Sequence, residues 1–367
     1  MTNVQIDDSE KKMSAKTFMV MAGGTGGHIF PALAVAQALQ QQGHHIVWLG
    51  SEGAMETRLV PQYNIPLETL AIKGIRGNGL KRKLLLPFTL IKTIMTARSI
   101  IRKYHIDGAI GFGGFVTFPG GIATKMSGLP LVVHEQNAIA GLSNKVLARL
   151  ANRVLFAFPD VFGNQNGLVG NPVRVDIANL PEPKQRFADR YGPLNILIVG
   201  GSLGADALNQ IVPQAIALLP AEQRPKIVHQ SGRNKLTVLE QNYQQLGVEA
   251  NCTEFITDML SAYRDADLVI CRAGALTIAE LTAAGVGAFL VPYPHAVDDH
   301  QTANAQFMVN DQAAVLLPQS TLTAQSLHDL LINLTREQCL QMAIKARALA
   351  QPDSADRVAR EVMGCFE

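Results

Sequence analysis

Four polar side chains stand where apolar, strand-length runs give way to glycine or to helix: His28, Glu135, Glu280 and Gln301. His28 closes the run Gly23-Gly24-Thr25-Gly26-Gly27-His28. Glycines there let backbone approach a ligand closely, so the imidazole is placed to contact substrate or to move a proton. Glu135 lies in His134-Glu135-Gln136-Asn137, four polar groups at the carboxyl end of a buried strand, where an open α/β sheet has its crevice. Asn137 could also simply cap the helix that follows. In Arg272-Ala273-Gly274-Ala275, Gly274 opens a helix whose first N–H groups can cradle a diphosphate, using the helix dipole in place of a metal. Glu280, about one and a half turns in, can accept a hydrogen bond from each hydroxyl of a ribose diol. Gln301 and Asn304, three apart, share a helix face and suit sugar hydroxyls.

The elements that carry these groups repeat. Phe18-Met19-Val20-Met21-Ala22 enters the first glycine turn, and Ile196-Leu197-Ile198-Val199 enters a second, Gly200-Gly201-Ser202-Leu203-Gly204-Ala205. Each turn leads into an amphipathic helix, the first from about Ile29, with Pro31 in its first turn and Gly43 ending it. Further strands fit 45–49, 108–110, 131–134, 154–158, 226–229, 253–256, 268–271, 288–291 and 315–317. Continuous apolar strands between amphipathic helices indicate parallel sheets covered on both faces. The expected class is α/β, with two Rossmann-like parallel-sheet domains facing across a cleft that holds the site. The expected division is a disordered polar tail over 1–16, a first domain over 17–173 and a second over 174–352. The last helix, about 353–367, is expected to cross back to the first domain.

Composition narrows the function. A length of 367 residues suits about two domains, and 47% hydrophobic with 17% charged residues suits substantial buried sheets. A net charge of +2 gives no global field for nucleic acid, and no aromatic-interleaved basic face is visible. Cys252, Cys271, Cys339 and Cys365 stand far apart, as in a reducing cytosol. His295, Asp298, Asp299 and His300 are conceivable metal ligands, but no Asp-x-Asp or His/Cys cluster accompanies the helix start at Gly274, so no tightly held metal or other cofactor is expected. Neither glycine turn satisfies G-x-G-x-x-G, and no P-loop occurs, which disfavours dinucleotide oxidoreductases and P-loop enzymes. No run reaches the roughly 20 apolar residues of a membrane span; the nearest, Gly108 to Thr124, is uncharged but broken by glycines and Pro119. Leu80, Lys81, Arg82, Lys83, Leu84, Leu85, Leu86 and Phe88 instead set basic charge beside apolar bulk, suiting shallow contact with an anionic membrane surface, or else a core helix with solvated charges.

Taken in order, Ala22 to His28, Gly113-Gly114-Phe115, His134 to Asn137, Gly170-Asn171-Pro172-Val173-Arg174, Gly200 to Ala205, Glu254-Phe255-Ile256, Arg272 to Ala275 and Asp298-Asp299-His300-Gln301 closely resemble the MurG family. These are bacterial undecaprenyldiphospho-muramoylpentapeptide β-N-acetylglucosaminyltransferases with the GT-B fold. The resemblance runs from Met19 to about Ala359. It implies transfer of N-acetylglucosamine from UDP to the muramoyl 4-hydroxyl of lipid I, making lipid II for the cell wall at the cytoplasmic face of the inner membrane. It implies that Thr25, Gly26 and Gly27 approach the reacting ends of both substrates, and that Asn137 and Arg174 contact the donor or organise the cleft. Ser202 would bind diphosphate and the backbone of Ile256 would read uracil. Ala275, Leu276, Thr277, Ile278 and Ala279 would supply helix N-terminal donors, Glu280 the ribose contact, and Gln301 contacts to the sugar hydroxyls. Other cell-wall synthesis and division proteins are further implied partners. Phe115 stands where the family often has tyrosine, Leu203 where it can have glutamine, and Lys125 where an exposed aromatic can aid membrane docking. An inverting transfer needs a base, for which His28 is the first candidate and Glu135 the second. A UDP-sugar epimerase or phosphorylase on the same scaffold, or a non-catalytic UDP-sugar sensor, would share donor binding.

Overall fold

The computed structural model describes residues 14–72, 80–163, 166–201 and 203–366; of residues 80–86 and Val297 it describes the backbone alone. Ser202, most of the N-terminal tail, and the side chains of Leu80, Lys81, Arg82, Lys83, Leu84 and Leu85 therefore lie outside the described residues.

Two six-stranded sheets form. The first comprises β1 (Thr17–Ala22), β2 (His45–Ser51), β3 (Leu67–Leu70), β4 (Gly108–Gly113), β5 (Leu131–Glu135) and β6 (Arg153–Phe156) in the order β3-β2-β1-β4-β5-β6. The second comprises β7 (Asn195–Val199), β8 (Lys226–Gln230), β9 (Asn251–Thr253), β10 (Leu268–Cys271), β11 (Gly287–Leu290) and β12 (Ala314–Leu316) in the order β12-β11-β10-β7-β8-β9. Every strand pairing among the described residues is parallel, and the second order is the first repeated. This is the expected twin Rossmann-like architecture. In each sheet the strand order reverses beside the first strand, between β1 and β4 and between β7 and β10. A crevice opens there at the carboxyl ends. Both glycine turns leave the sheets at those points.

Three local readings shift. The first helix is Gly26–Gln41, starting three residues before Ile29, because Thr25 is already an extended N-cap (φ −128°, ψ 155°). Pro31 therefore falls in the second turn. β9 occupies Asn251–Thr253 rather than 253–256, and β3 was not expected at all. Both are short edge strands whose sequences carry little apolar pattern, so pairing with a neighbour decides them.

The C-terminal helix Ser354–Met363 packs on the first domain, not the second. Val358, Ala359 and Val362 are buried in one cluster with Ile29, Leu33 and Ala36 of the first helix. The Phe366 ring meets Phe18 edge-on at 5.6 Å. It fills the space beside Gly108, where a Cβ would lie 2.9 Å from it.

Candidate active site in the interdomain cleft

The first-domain half is built by two glycine turns leaning on each other. Gly24 (φ +93°) donates its N–H to Glu56 Oε2 at 3.1 Å, and Ser51 donates to Oε1 of the same buried carboxylate at 2.7 Å. The turn after β4 comes so close that a Cβ on Gly114 (φ +83°) would lie 2.4 Å from Gly23 O. Only glycine permits that approach. Gly113 is equally constrained, because a Cβ there would lie 2.9 Å from the His28 ring. His28 is half-buried, and its Nδ1 lies 2.7 Å from Gln136 Oε1. Thr25 is exposed and Gly26 and Gly27 are half-buried at the start of the helix, which no side chain caps. Glu56 and Gln136 were not singled out from sequence. Gln136 sits inside the quoted polar run, whereas nothing around Glu56 marks it.

Glu135 requires a correction. It is fully buried, and its oxygens take four donors: Asn137 N–H (2.9 Å) and Nδ2 (3.2 Å) on Oε1, Gly141 N–H (3.0 Å) and Asn144 Nδ2 (2.9 Å) on Oε2. A base must turn a lone pair to its substrate. This carboxylate is turned inward and shapes the loop that presents Asn137, so the fold does not offer it to a substrate as it does His28.

The second-domain half repeats the construction. Gly204 (φ +71°) packs on the turn after β8, where an added Cβ would lie 2.0 Å from Ser231 O. Leu203 is exposed. After β10, Gly274 (φ −64°, ψ 145°) is the N-cap of the helix Ala275–Ala284, with no side-chain cap and no acidic residue in its first turn. Ala275, Leu276 and Thr277 thus open the helix with N–H groups outside its ladder. Ile278 and Ala279 do not fit the donor role expected of them. Ile278 N–H is spent on Gly274 O at 3.0 Å, and Ala279 is the next residue along the i→i−4 ladder.

Glu280 is half-buried on the same helix and accepts a hydrogen bond from the Tyr263 hydroxyl at 3.0 Å. Burial pushes its carboxyl up to about 6, against the opposing pull of that hydroxyl and of the Arg174 guanidinium. Arg174 itself is exposed at the domain junction, 3.8 Å from Asp176. Ile256 follows β9, half-buried. Arg272 braces the neighbouring loop, donating to Val291 O (3.0 Å) and Pro292 O (3.1 Å).

Gln301 and Asn304 part company. Gln301 Oε1 accepts from Tyr293 N–H at 2.9 Å, leaving its amide hydrogens to donate. Asn304 is fully buried and does not face a ligand as the shared helix face suggested. Its Oδ1 accepts from Ala138 N–H (2.8 Å), and its NH2 donates to Asn137 Oδ1 (3.3 Å) and Ala273 O (3.2 Å). One side chain thereby joins the first-domain loop to the second-domain helix start. Asn171 adds a second bridge, donating to Gln136 O (2.9 Å) and Ala275 O (3.4 Å). The helices Gly26–Gln41 and Ala275–Ala284 touch across the cleft.

Away from the cleft, Phe88 is 72% exposed on the helix Leu80–Lys103, with Ile91 and Met95 exposed along it. No helix among the described residues is long and apolar enough to cross a membrane. Nor does any group of three or more His, Cys, Asp or Glu among them form a metal-binding cluster.

Comparison with known proteins bears on this geometry. Residues 18–156 match the glycosyltransferase family 28 N-terminal domain, and residues 195–358 the family 28 C-terminal domain. The chain is 68% identical over 353 residues to a protein of Neisseria gonorrhoeae (strain NCCP11945), covering 96% of this chain and 99% of that one. That relative is named UDP-N-acetylglucosamine–N-acetylmuramyl-(pentapeptide) pyrophosphoryl-undecaprenol N-acetylglucosamine transferase. A protein of the same name from Ralstonia nicotianae is 52% identical, over 94% of this chain and 95% of that one. Among solved structures, MurG of Acinetobacter baumannii superposes with a TM-score of 0.85 at 43% identity, covering 95% of this chain and 99% of that one.

Proposed function

The chain belongs to glycosyltransferase family 28, and we propose that its cleft joins N-acetylglucosamine to a lipid-linked muramoyl acceptor. The enzyme is a UDP-N-acetylglucosamine-dependent hexosyltransferase that converts lipid I to lipid II in peptidoglycan synthesis. The observation that carries this reading is the pairing of two unlike half-sites. A histidine stands beside a glycine turn in one domain, an uncapped helix start followed by a carboxylate stands in the other, and Asn304 ties them together.

The chemistry follows from that pairing. UDP lies on the second domain, with its diphosphate at the first N–H groups of Ala275–Ala284 and its ribose diol on Glu280. Gln301 donates to the sugar hydroxyls. His28 takes the proton of the muramoyl 4-hydroxyl as that oxygen attacks C1 from the face opposite UDP, which inverts the anomeric centre. The C1–O bond to diphosphate breaks, and the helix dipole stabilises the negative charge gathering on UDP. No tightly bound metal is required for that charge.

Mass spectrometry of UDP-N-acetylglucosamine, incubated with and without a short-chain lipid I analogue and with EDTA, tests the reading. Disaccharide product only with acceptor, and undiminished by EDTA, is expected. Turnover of the donor alone would indicate an epimerase, and binding without product a sensor.

Attachment to the cytoplasmic face of the inner membrane is peripheral in this reading, through Lys81, Arg82 and Lys83 with the apolar residues up to Phe88, and other cell-wall synthesis and division proteins would be met there. Each basic residue near an anionic surface contributes about 1 kcal/mol. Changing the three to Glu should lower binding to anionic vesicles and leave turnover of a short-chain soluble acceptor nearly intact. Equal vesicle binding by the variant and the parent would remove the stretch from the membrane contact.

A further inference from the structure

Behind His28 lies a chain of hydrogen bonds whose direction is forced. His134 Nε2 lies 2.9 Å from Gly170 O. A carbonyl can only accept, so Nε2 carries a hydrogen. A neutral imidazole has one N–H, so His134 Nδ1 is an acceptor. It takes a hydrogen from Gln136 Nε2 at 2.9 Å. The same NH2 group donates its other hydrogen to the backbone oxygen of His134 at 2.9 Å. Turning the Gln136 amide over would set its oxygen against that carbonyl and against a ring lone pair. Gln136 Oε1 must therefore face His28, 2.7 Å from Nδ1. Oxygen accepts there, so the hydrogen belongs to His28 Nδ1.

We infer that Gln136, oriented by His134, is a positioning residue that fixes the tautomer of His28, placing its proton on Nδ1 and leaving the Nε2 lone pair as the base. The inference rests on the reading of His28 as the group that deprotonates the acceptor hydroxyl. Nε2 has no hydrogen-bond partner among the described residues. Left alone, a neutral imidazole favours the opposite tautomer, which would point a hydrogen from Nε2. The device is dry, since His134 and Gln136 are both buried to 1% exposure or less. Burial also pushes the His134 imidazole down to about 4, so it stays neutral and the direction of the chain does not change near neutral pH. Glu135, whose charge acts on it in the opposite direction, is engaged by the Asn137–Gly141 loop.

The proton can be located directly. Full-length protein labelled with ¹⁵N-histidine, with His28 assigned by the signals lost in His28→Ala, should show a protonated Nδ1 and an unprotonated Nε2. Gln136→Met removes the acceptor at similar volume. It should move the His28 hydrogen toward Nε2 and lower kcat by roughly tenfold or more, with UDP affinity unchanged; a base held in the wrong tautomer costs a serine protease about 10⁴. Gln136→Glu restores an acceptor and adds negative charge. It should return the proton to Nδ1 and shift the acid limb of the kcat/KM profile upward, which a merely structural role would not do. A parent enzyme with its His28 hydrogen on Nε2 would overturn the inference. So would a Gln136→Met enzyme with ring signals and turnover unchanged. Full turnover by His28→Ala would remove the base while leaving the proton assignment intact, so the two failures are distinguishable.

Discussion

Replacing His28 with alanine should lower turnover by about 10²–10⁴-fold, the usual worth of general-base assistance, while UDP binds as before. The ring sits in the first domain, against Gly113 and hydrogen-bonded to Gln136, whereas the groups assigned to UDP belong to the second. Its loss therefore leaves the donor half-site whole and removes the acceptor for the hydroxyl proton. Turnover measured across the pH profile, beside calorimetric UDP affinity, separates these effects. A folded variant with near-parental turnover would exclude His28 as the base. Because Glu135 is turned into its own loop, such a result would favour transfer without a side-chain base.

The second large effect is expected at Glu280. Charge-assisted hydrogen bonds to a ribose diol are worth roughly 1.5–3 kcal/mol, so Glu280→Ala should weaken UDP binding about ten- to a hundredfold. The pH dependence has a definite sign. The carboxyl is raised from its usual 4.5 to about 6 by burial, and only its ionised form accepts both hydroxyls. UDP affinity should therefore fall as pH drops through about 6, and the difference between the parent and Glu280→Gln removes the titration of UDP itself. Folding responds in the opposite direction. A folded-state value above the unfolded one gives stability that is complete below about 4.5 and lost as pH rises through about 6. Unliganded Glu280→Gln should accordingly melt higher than the parent at neutral pH while binding UDP less tightly. Calorimetry showing unchanged UDP affinity in folded Glu280→Ala would remove the ribose contact.

The division between what was legible in the chain and what was not follows the range of the forces involved. Two runs of strand length, each entering a glycine turn and then a helix, suffice for twin Rossmann-like domains, because apolar periodicity and the need for glycine at positive φ are local properties. The helix start at Gly274 and the carboxylate at Glu280 were readable for the same reason, and the ordered motifs pointed to the family. The edge strands β3 and β9 were missed or misplaced because their pairing, not their composition, makes them strands.

The working details of the cleft came from contacts between residues far apart in the chain. Gln136 reaches His28 across 108 positions, and Asn304 reaches Ala138 across 166. Nothing near Asn304 distinguishes an amide facing a sugar from one bridging two domains. Nothing near Glu135 tells a base from a buried brace either, since that depends on whether water or four N–H groups surround its oxygens. Sequence by itself determined which residues could do chemistry and the elements that carry them. The tertiary structure alone decided which way each polar group turns, because a buried donor or acceptor must be paired and its partners come from distant parts of the chain.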